Sequence, residues 1–367
     1  MINRKEKSAM AAYDKKLLLR IITVICFILL QSFVAHNARA DQDPPVSIDQ
    51  IMAHLAFDKS NKKALLDGII LSTGMPEMEQ LREELAVAAV MLMVKAPMEK
   101  VVAAYLDPES FQQNSDIIEY KLIRSPEKSS LAAEEDFKPI GLTKKESSEV
   151  NKLIDFKGGT TFNFSKDEIK QFQVVDSKDS TVGDKVSLLL RRILVKRYQS
   201  YFTRGLEGVK PYDRGRGKYS HPRRELTVAV GSIKLLENHF PDFYQSLLKY
   251  PEEAGKRVKN EFYWFKNMMD NRPAFQLSHY MADIRNHYAI VAEMQFYVEH
   301  TYSSMLTIIG CVPYEGGTVV FCANRTFTGQ VAGFGSSLKR SVGRRRIEDA
   351  ISDHFAKLRS VLESRAN

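Results

Sequence analysis

Long apolar runs are scarce in this chain of 367 residues. Residues 85–94 form one such run, but it is shorter than the roughly 20 residues that a helix needs to cross a bilayer core. We interpret it as a buried strand, with a buried helix as the alternative. Cysteine is also rare, with 3 residues in the chain, and these lack the clustered Cys and His spacing of a zinc site.

Motifs of catalysis and of cofactor binding are missing too. Neither the G-x-S-x-G nucleophile pattern nor the Walker phosphate-binding pattern occurs. His279, His287 and His300 lack the i, i+4 spacing of a helical metal site. The sequence does not fix the separation of Asp283 and Glu299, so we interpret both as surface or rim groups. We therefore predict no catalytic residue, no metal site and no cofactor.

Residues 1–40 have the composition of a secretory signal. Basic side chains dominate residues 1–20, the apolar run 21–35 follows, and Ala38 and Ala40 are small residues of the kind a signal peptidase requires. We expect export to the periplasm with cleavage after Ala40; an uncleaved anchor is the alternative. Cleavage would remove seven basic and two acidic residues and lower the formal net charge from +8 to +3. This small charge, together with export, argues against a nucleic-acid partner.

Periodicity predicts the elements that follow. Residues 117–123 are predicted as a second strand, and Pro97 is typical of the start of a helix over residues 98–105. Further helices are predicted over residues 186–201, 225–239 and 251–265, with a capping box at Ser165 and Glu168 and a Gly- and Arg-rich loop over residues 205–224.

Two hairpins are predicted after Pro273. A turn at Asn286 and His287 would place Met281 opposite Ala292, Leu277 opposite Phe296 and Phe275 opposite Val298, which gives one apolar face. The opposite face would pair Ser278 with Gln295 and Gln276 with Tyr297. A second turn, centred on Gly316 and Gly317, would place Cys311 directly opposite Cys322. These two cysteines either form a disulfide or pack as buried thiols.

The last predicted element is a helix with an apolar stripe. The stripe consists of Ile347, Ile351, Phe355, Leu358 and Leu362. Together with residues 90–106, 117–123 and 275–362, this element order resembles the START-like or polyketide-cyclase-like superfamily, which has the helix-grip fold. Residues 324–337 are similar to those of exported bacterial members of that superfamily.

The resemblance implies an α+β fold in which a curved antiparallel sheet grips a long C-terminal helix. Residues 41–143 would form the first part of the START-like domain, residues 144–265 a large, mostly helical insertion, and residues 266–367 the β-meander and final helix. The superfamily also implies a cavity between sheet and helix. The candidate cavity residues are Phe275, Leu277, His279, Met281, Met294, Phe296, Val298 and Phe355.

We therefore expect a non-catalytic binding or carrier protein for an apolar or amphipathic small molecule such as a lipid or sterol. Arg344, Arg345 and Arg346 are candidates for contact with lipid head groups, because basic residues are attracted to anionic membrane surfaces. A cyclase- or hydrolase-like enzyme using His279 is one alternative. An envelope scaffolding protein is the other, and the sequence does not identify a protein partner.

Overall fold

An eight-stranded antiparallel sheet, curved along its length, is the main element of the computed structural model. The structure describes residues 46–75, 85–107, 116–124, 134–252, 257–329 and 336–364, so the predicted signal lies outside the described residues. The strands are β1 (Leu71–Thr73), β2 (Leu85–Val94), β3 (Ile117–Ile123), β4 (Tyr212–Asp213), β5 (Tyr219–Ser220), β6 (Lys259–Met269), β7 (Arg272–Ile284), β8 (Ala289–Val298), β9 (Ser304–Tyr314) and β10 (Gly317–Phe327). Strands β4 and β5 form a separate small hairpin.

The helices flank this sheet. They are α1 (Ile48–His54), α2 (Lys62–Leu66), α3 (Met98–Leu106), α4 (Ser147–Asp155), α5 (Lys166–Gln173), α6 (Val182–Arg204), α7 (Pro222–Ser232), α8 (Lys234–His239), α9 (Pro241–Lys249) and α10 (Ser336–Ser364). In the part of the chain that the structure describes, no helix has the length and apolar character needed to span a membrane. The α+β class, the antiparallel sheet and the C-terminal helix of the sequence analysis are confirmed.

The sheet runs in the order β1-β2-β10-β9-β8-β7-β6-β3. Strands β6 to β10 form a continuous meander, and β10 then pairs along its length with β2. Strand β3 pairs with β6 at the other edge. Two strands that are distant in sequence therefore frame the meander, and the helices from α4 to α9 lie between β3 and β6 in the chain.

The two faces of the sheet are covered by different helices. On one side, which we call the α6 face, apolar side chains of the strands join the same core as Leu190, Leu194 and Tyr198 of α6. On the other side, the α10 face, residues of β2, β9 and β10 form a second core with α3 and with Phe355 and Leu362 of α10. Alternate residues of a strand point to opposite faces, so neighbouring residues belong to different cores.

The helix predicted over residues 251–265 is wrong. Helix α9 ends at Lys249, and residues 259–269 form strand β6 instead. The reason is that residues 262–265 are Phe, Tyr, Trp and Phe, all buried, so both faces of the strand are apolar and the period of two is hidden. The meander therefore starts at Lys259 and not at residue 266. The predicted helix over residues 225–239 is divided between α7 and α8 near Ile233.

The first predicted hairpin is right near its turn and wrong farther away. Met281 pairs with Ala292 and Ser278 with Gln295, as predicted. A β-bulge then shifts the register, so Leu277 pairs with Tyr297 rather than with Phe296. Because of the same shift, Gln276 rather than Phe275 pairs with Val298. A bulge adds one residue to one strand, which a turn-based register does not predict.

The second hairpin turns at Glu315 and Gly316, one residue earlier than predicted. Both residues have positive φ, 31° and 81°, as a two-residue type I′ turn requires. Gly317 already belongs to β10, and a Cβ there would lie 2.5 Å from the carbonyl oxygen of Val94. Cys311 therefore pairs with Val320 and Cys322 with Ile309. The cysteines do not face each other, and both are free and buried.

Candidate functional site

The predicted cavity residues lie on both faces of the sheet. Five of them, Phe275, Leu277, Met281, Met294 and Phe296, belong to the core of the α6 face. His279 is buried against Tyr201 and Phe262 of the same core. Phe355 belongs to the core of the α10 face, and Val298 is buried without joining either of these cores. The sequence correctly identified one apolar face of the β7–β8 hairpin, but that face packs against the helical segment and not against α10.

His279 is a packed core residue. Its ring is fully buried, its Nδ1 lies 2.9 Å from the hydroxyl of Tyr201, and its Nε2 lies 2.8 Å from Oδ1 of Asn260. The ring also stacks on Phe262, with 4.2 Å between centroids. Burial lowers the pKa of His279 to about 3, so the ring stays neutral at ordinary pH. A ligand has no access to this side chain.

The α10 face of the same hairpin carries polar side chains. Ser278 and Tyr280 on β7 and Glu293 and Gln295 on β8 alternate with the apolar residues of the α6 face. Oε1 of Glu293 accepts hydrogen bonds from the hydroxyl of Ser278 at 3.0 Å and from the side-chain amide of Gln295 at 2.8 Å. The hydroxyl of Tyr280 donates to the same carboxylate. Glu293 is therefore the centre of this polar row.

Two tyrosines from other elements extend the row. The Tyr302 hydroxyl, in the loop between β8 and β9, donates to Oε1 of Gln295 at 2.5 Å. Tyr105 of α3 lies close enough to Glu293 for the carboxylate charge to contribute to the raised pKa of the tyrosine, although burial is the larger cause. The Tyr105 ring also meets His354 of α10 edge to face, with 6.5 Å between centroids. Side chains from β7, β8, α3 and a loop thus converge next to α10.

These side chains are deep but not fully packed. Burial raises the pKa values of Tyr105 and Tyr280 well above the usual range, and raises those of Tyr302 and Glu293 as well. All four nevertheless keep part of their surface accessible to solvent. We call this partly accessible polar surface the Glu293 recess. Tyr105, Tyr280, Glu293 and Tyr302 line it, and the buried side chains of Ser278 and Gln295 support it.

The recess continues into an apolar region. Tyr105 packs against the core of the α10 face, which includes Ile309, Val320, Cys322 and Phe355. Cys322 is also near enough to Glu293 for the carboxylate charge to contribute to the raised pKa of the thiol, although burial is the larger cause. The α10 face therefore has a hydrogen-bonding end and an apolar end, an arrangement that suits an amphipathic molecule.

The predicted head-group residues lie on α10 but not in the recess. Nε of Arg344 is 3.2 Å from the carboxylate of Glu348, and the Arg344 side chain occupies the space beside Gly74. Arg345 and Arg346 are exposed. In the described ranges, no three His, Cys, Asp or Glu side chains are close enough to hold a metal ion.

Asp283 and Glu299 are not surface groups. Asp283 pairs with Arg285 at 2.6 Å and accepts a hydrogen bond from the hydroxyl of Tyr288 at 3.0 Å. Glu299 is buried and accepts a hydrogen bond from the backbone N–H of Phe275 at 2.9 Å. The predicted surface position of these two acids is therefore wrong, because tertiary packing covers both strand ends.

The sequence contained one signal for the recess. Ser278 and Gln295 were predicted to pair on the polar face of the hairpin, and that pairing is confirmed. A polar strand face is usually solvated, so the sequence favoured the apolar face as the site of a ligand.

Comparison of the chain with protein-family models, with curated proteins and with solved structures finds no match.

Proposed function

We propose that this chain is an exported, non-catalytic binding or carrier protein that holds an amphipathic small molecule between the sheet and α10. The observation that carries the proposal is the Glu293 recess, in which accessible polar side chains lie next to an apolar core under a long helix. The polar end would fix the orientation of the molecule. The apolar end would supply affinity at about 25 cal/mol per Å² of buried apolar surface.

The order of elements supports a helix-grip reading of this fold. Strand β2 leads into α3, a long meander follows, and the last strand returns to β2 before α10 begins. Helix α10 packs on β2 and α3, on the face that also bears the recess. These are the features on which the resemblance to the START-like superfamily rests. Helices of the segment from α4 to α9 join the core of the opposite face.

The enzyme alternative loses its main candidate residue. It relied on His279, whose two ring nitrogens are both occupied by Tyr201 and Asn260 inside the core. A general base must come within hydrogen-bond reach of the proton that it removes. Because the ring is enclosed on the α6 face, a molecule in the recess on the other face does not reach it.

The experiment is to purify the protein from the cells that make it, extract it with organic solvent and identify bound molecules by mass spectrometry. We expect one enriched class of amphipathic molecule in stoichiometric amount. A Glu293→Trp variant, which fills the recess from a partly accessible position, should lose it, whereas Thr203→Trp, at an exposed position of α6, should retain it. Wild-type protein that is empty and takes up no amphiphile would overturn the proposal.

A further inference from the structure

Glu293 differs from three buried acids of this protein, Glu149, Glu168 and Asp283, in having no basic partner. Glu168 pairs with Arg197, Glu149 with Arg272, and Asp283 with Arg285. The groups that donate to Glu293, namely Ser278, Tyr280 and Gln295, are all neutral. Among the described residues, no lysine, arginine or histidine forms an ion pair with it. Removing a carboxylate from water without a counter-ion costs free energy. The site therefore lacks the positive charge that would offset this cost.

Accessibility separates Glu293 from Glu299, which also lacks a basic partner at hydrogen-bond distance. Glu299 is 3% exposed and lies among packed groups, whereas Glu293 keeps accessible surface in the recess. An external group can therefore reach Glu293. The three donors that hold its carboxylate favour the charged form, in opposition to the burial that raises its pKa.

Three tyrosine side chains lie near the same carboxylate. Its charge contributes to the raised pKa values of Tyr105, Tyr280 and Tyr302, after burial, so all three lie within its field. The buried ring of Tyr263 meets Tyr280 edge to face, with 5.4 Å between centroids. The faces of tyrosine rings attract cations. The recess thus combines one acidic group with several cation-attracting rings.

We infer that the molecule bound in the recess carries a cationic amine, either a primary ammonium or a quaternary ammonium group. This inference rests on the proposed function and specifies its ligand. The ammonium group would take Glu293 as its counter-ion and lie against Tyr105 and Tyr280. Its apolar part would extend along Leu106, Ile351 and Leu358, which are partly accessible and pack on the core of the α10 face. A ligand with a carboxylate or phosphate at this end would instead place like charges together, which is unfavourable.

The test uses three probes with the same dodecyl chain and different head groups: dodecyltrimethylammonium, dodecanol and dodecanoate. Each competes with the neutral dye N-phenyl-1-naphthylamine for the purified full chain, below micellar concentration. We expect the ammonium probe to bind at least tenfold more tightly than dodecanol, and dodecanoate to bind most weakly. Glu293→Gln should abolish the preference for the cation and retain the binding of dodecanol.

Glu299→Gln is the matched control, because it removes a buried carboxyl group from outside the recess and should leave the order of affinities unchanged. If Glu293→Gln loses its near-ultraviolet circular dichroism, Tyr105→Leu decides the question instead. That variant keeps the carboxylate, and its preference for the quaternary cation over dodecanol should fall severalfold.

The outcomes separate this inference from the proposed function. Equal affinity for all three probes, tightest binding of dodecanoate, or an unchanged cation preference in the decisive variant would overturn the cationic ligand while leaving a binding protein. Failure of folded wild-type protein to bind the dye and every probe would overturn the proposed function itself.

Discussion

The hydroxyl of Tyr201 lies 2.9 Å from Nδ1 of His279, and this contact joins helix α6 to strand β7 across the core. Oδ1 of Asn260 accepts from the other ring nitrogen at 2.8 Å, which assigns the proton to Nε2 and leaves Nδ1 as an acceptor for the tyrosine. The Tyr201 ring also stacks on Phe296, with 3.9 Å between centroids. The pair fixes the helical segment to the sheet on the face opposite the recess.

Replacing His279 should therefore affect stability and not binding. His279→Phe keeps a ring stacked on Phe262 but deprives Tyr201 and Asn260 of a buried hydrogen-bond partner. We expect a loss of about 2–4 kcal/mol in the free energy of unfolding, measured by urea denaturation. The affinity for an amphiphilic dye should stay within about twofold of the wild-type value. Loss of binding at unchanged stability would contradict this assignment.

Glu299 should make stability depend on pH. Burial raises its pKa to about 7, and the nearby charge of Glu149 acts in the same direction. Between its usual pKa of about 4.5 and 7, the folded state binds more protons than the unfolded state. The stabilisation is therefore present in full below that window and is lost as pH rises through it, by up to about 1.4 kcal/mol per pH unit.

The Glu299→Gln variant isolates this effect. The difference in unfolding free energy between wild type and variant should fall as the pH rises from 4.5 to 7 and then level off. His279 gives the opposite slope, since its lowered pKa makes stability decrease as pH falls from 6.5 to 3, but this contribution is common to both proteins. A difference that is independent of pH would show that folding leaves the pKa of Glu299 unchanged, which would contradict this prediction.

Gly310 should not tolerate a side chain. It faces Phe321 on the neighbouring strand, and a Cβ would lie 1.9 Å from the phenylalanine ring. Because Phe321 is fully buried, the ring has no room to move, and Gly310→Ala should lower the free energy of unfolding by at least about 2 kcal/mol. Gly231→Ala in helix α7, with open space around it, should instead stabilise the protein by about 0.5–1 kcal/mol. Similar effects of the two changes would contradict this packing.

Cys311 and Cys322 should remain unbridged and unreactive. They are offset along the β9–β10 hairpin, and burial raises the pKa of the Cys311 thiol to about 12 and that of Cys322 further above its usual range. Since the thiolate is the reactive form, both should resist alkylation in the native protein and react in denaturant. A Cys311–Cys322 linkage in a non-reducing peptide map would contradict the observed register.

Local patterns alone predicted several elements of this fold. The ten apolar residues of β2, the stripe of α6 and the capping box of Ser165 with Glu168 are signals within one segment, and all three are present in the structure. The sequence also indicated the final helix and the turn at Asn286 and His287. These features depend on 3.6-residue or two-residue periodicity and on turn chemistry, which need no knowledge of distant partners.

The sequence by itself thus determined the class of the fold, most of its strands and helices, and the apolar face of the β7–β8 hairpin. Only the tertiary structure decided that α6 covers this face while α10 covers the other, and that Glu293 becomes the centre of a polar recess. The bulge opposite Leu277 and the strand at residues 259–269 were decided there as well. The physical reason is that a strand's alternation shows which residues share a face, but not which helix will pack against it.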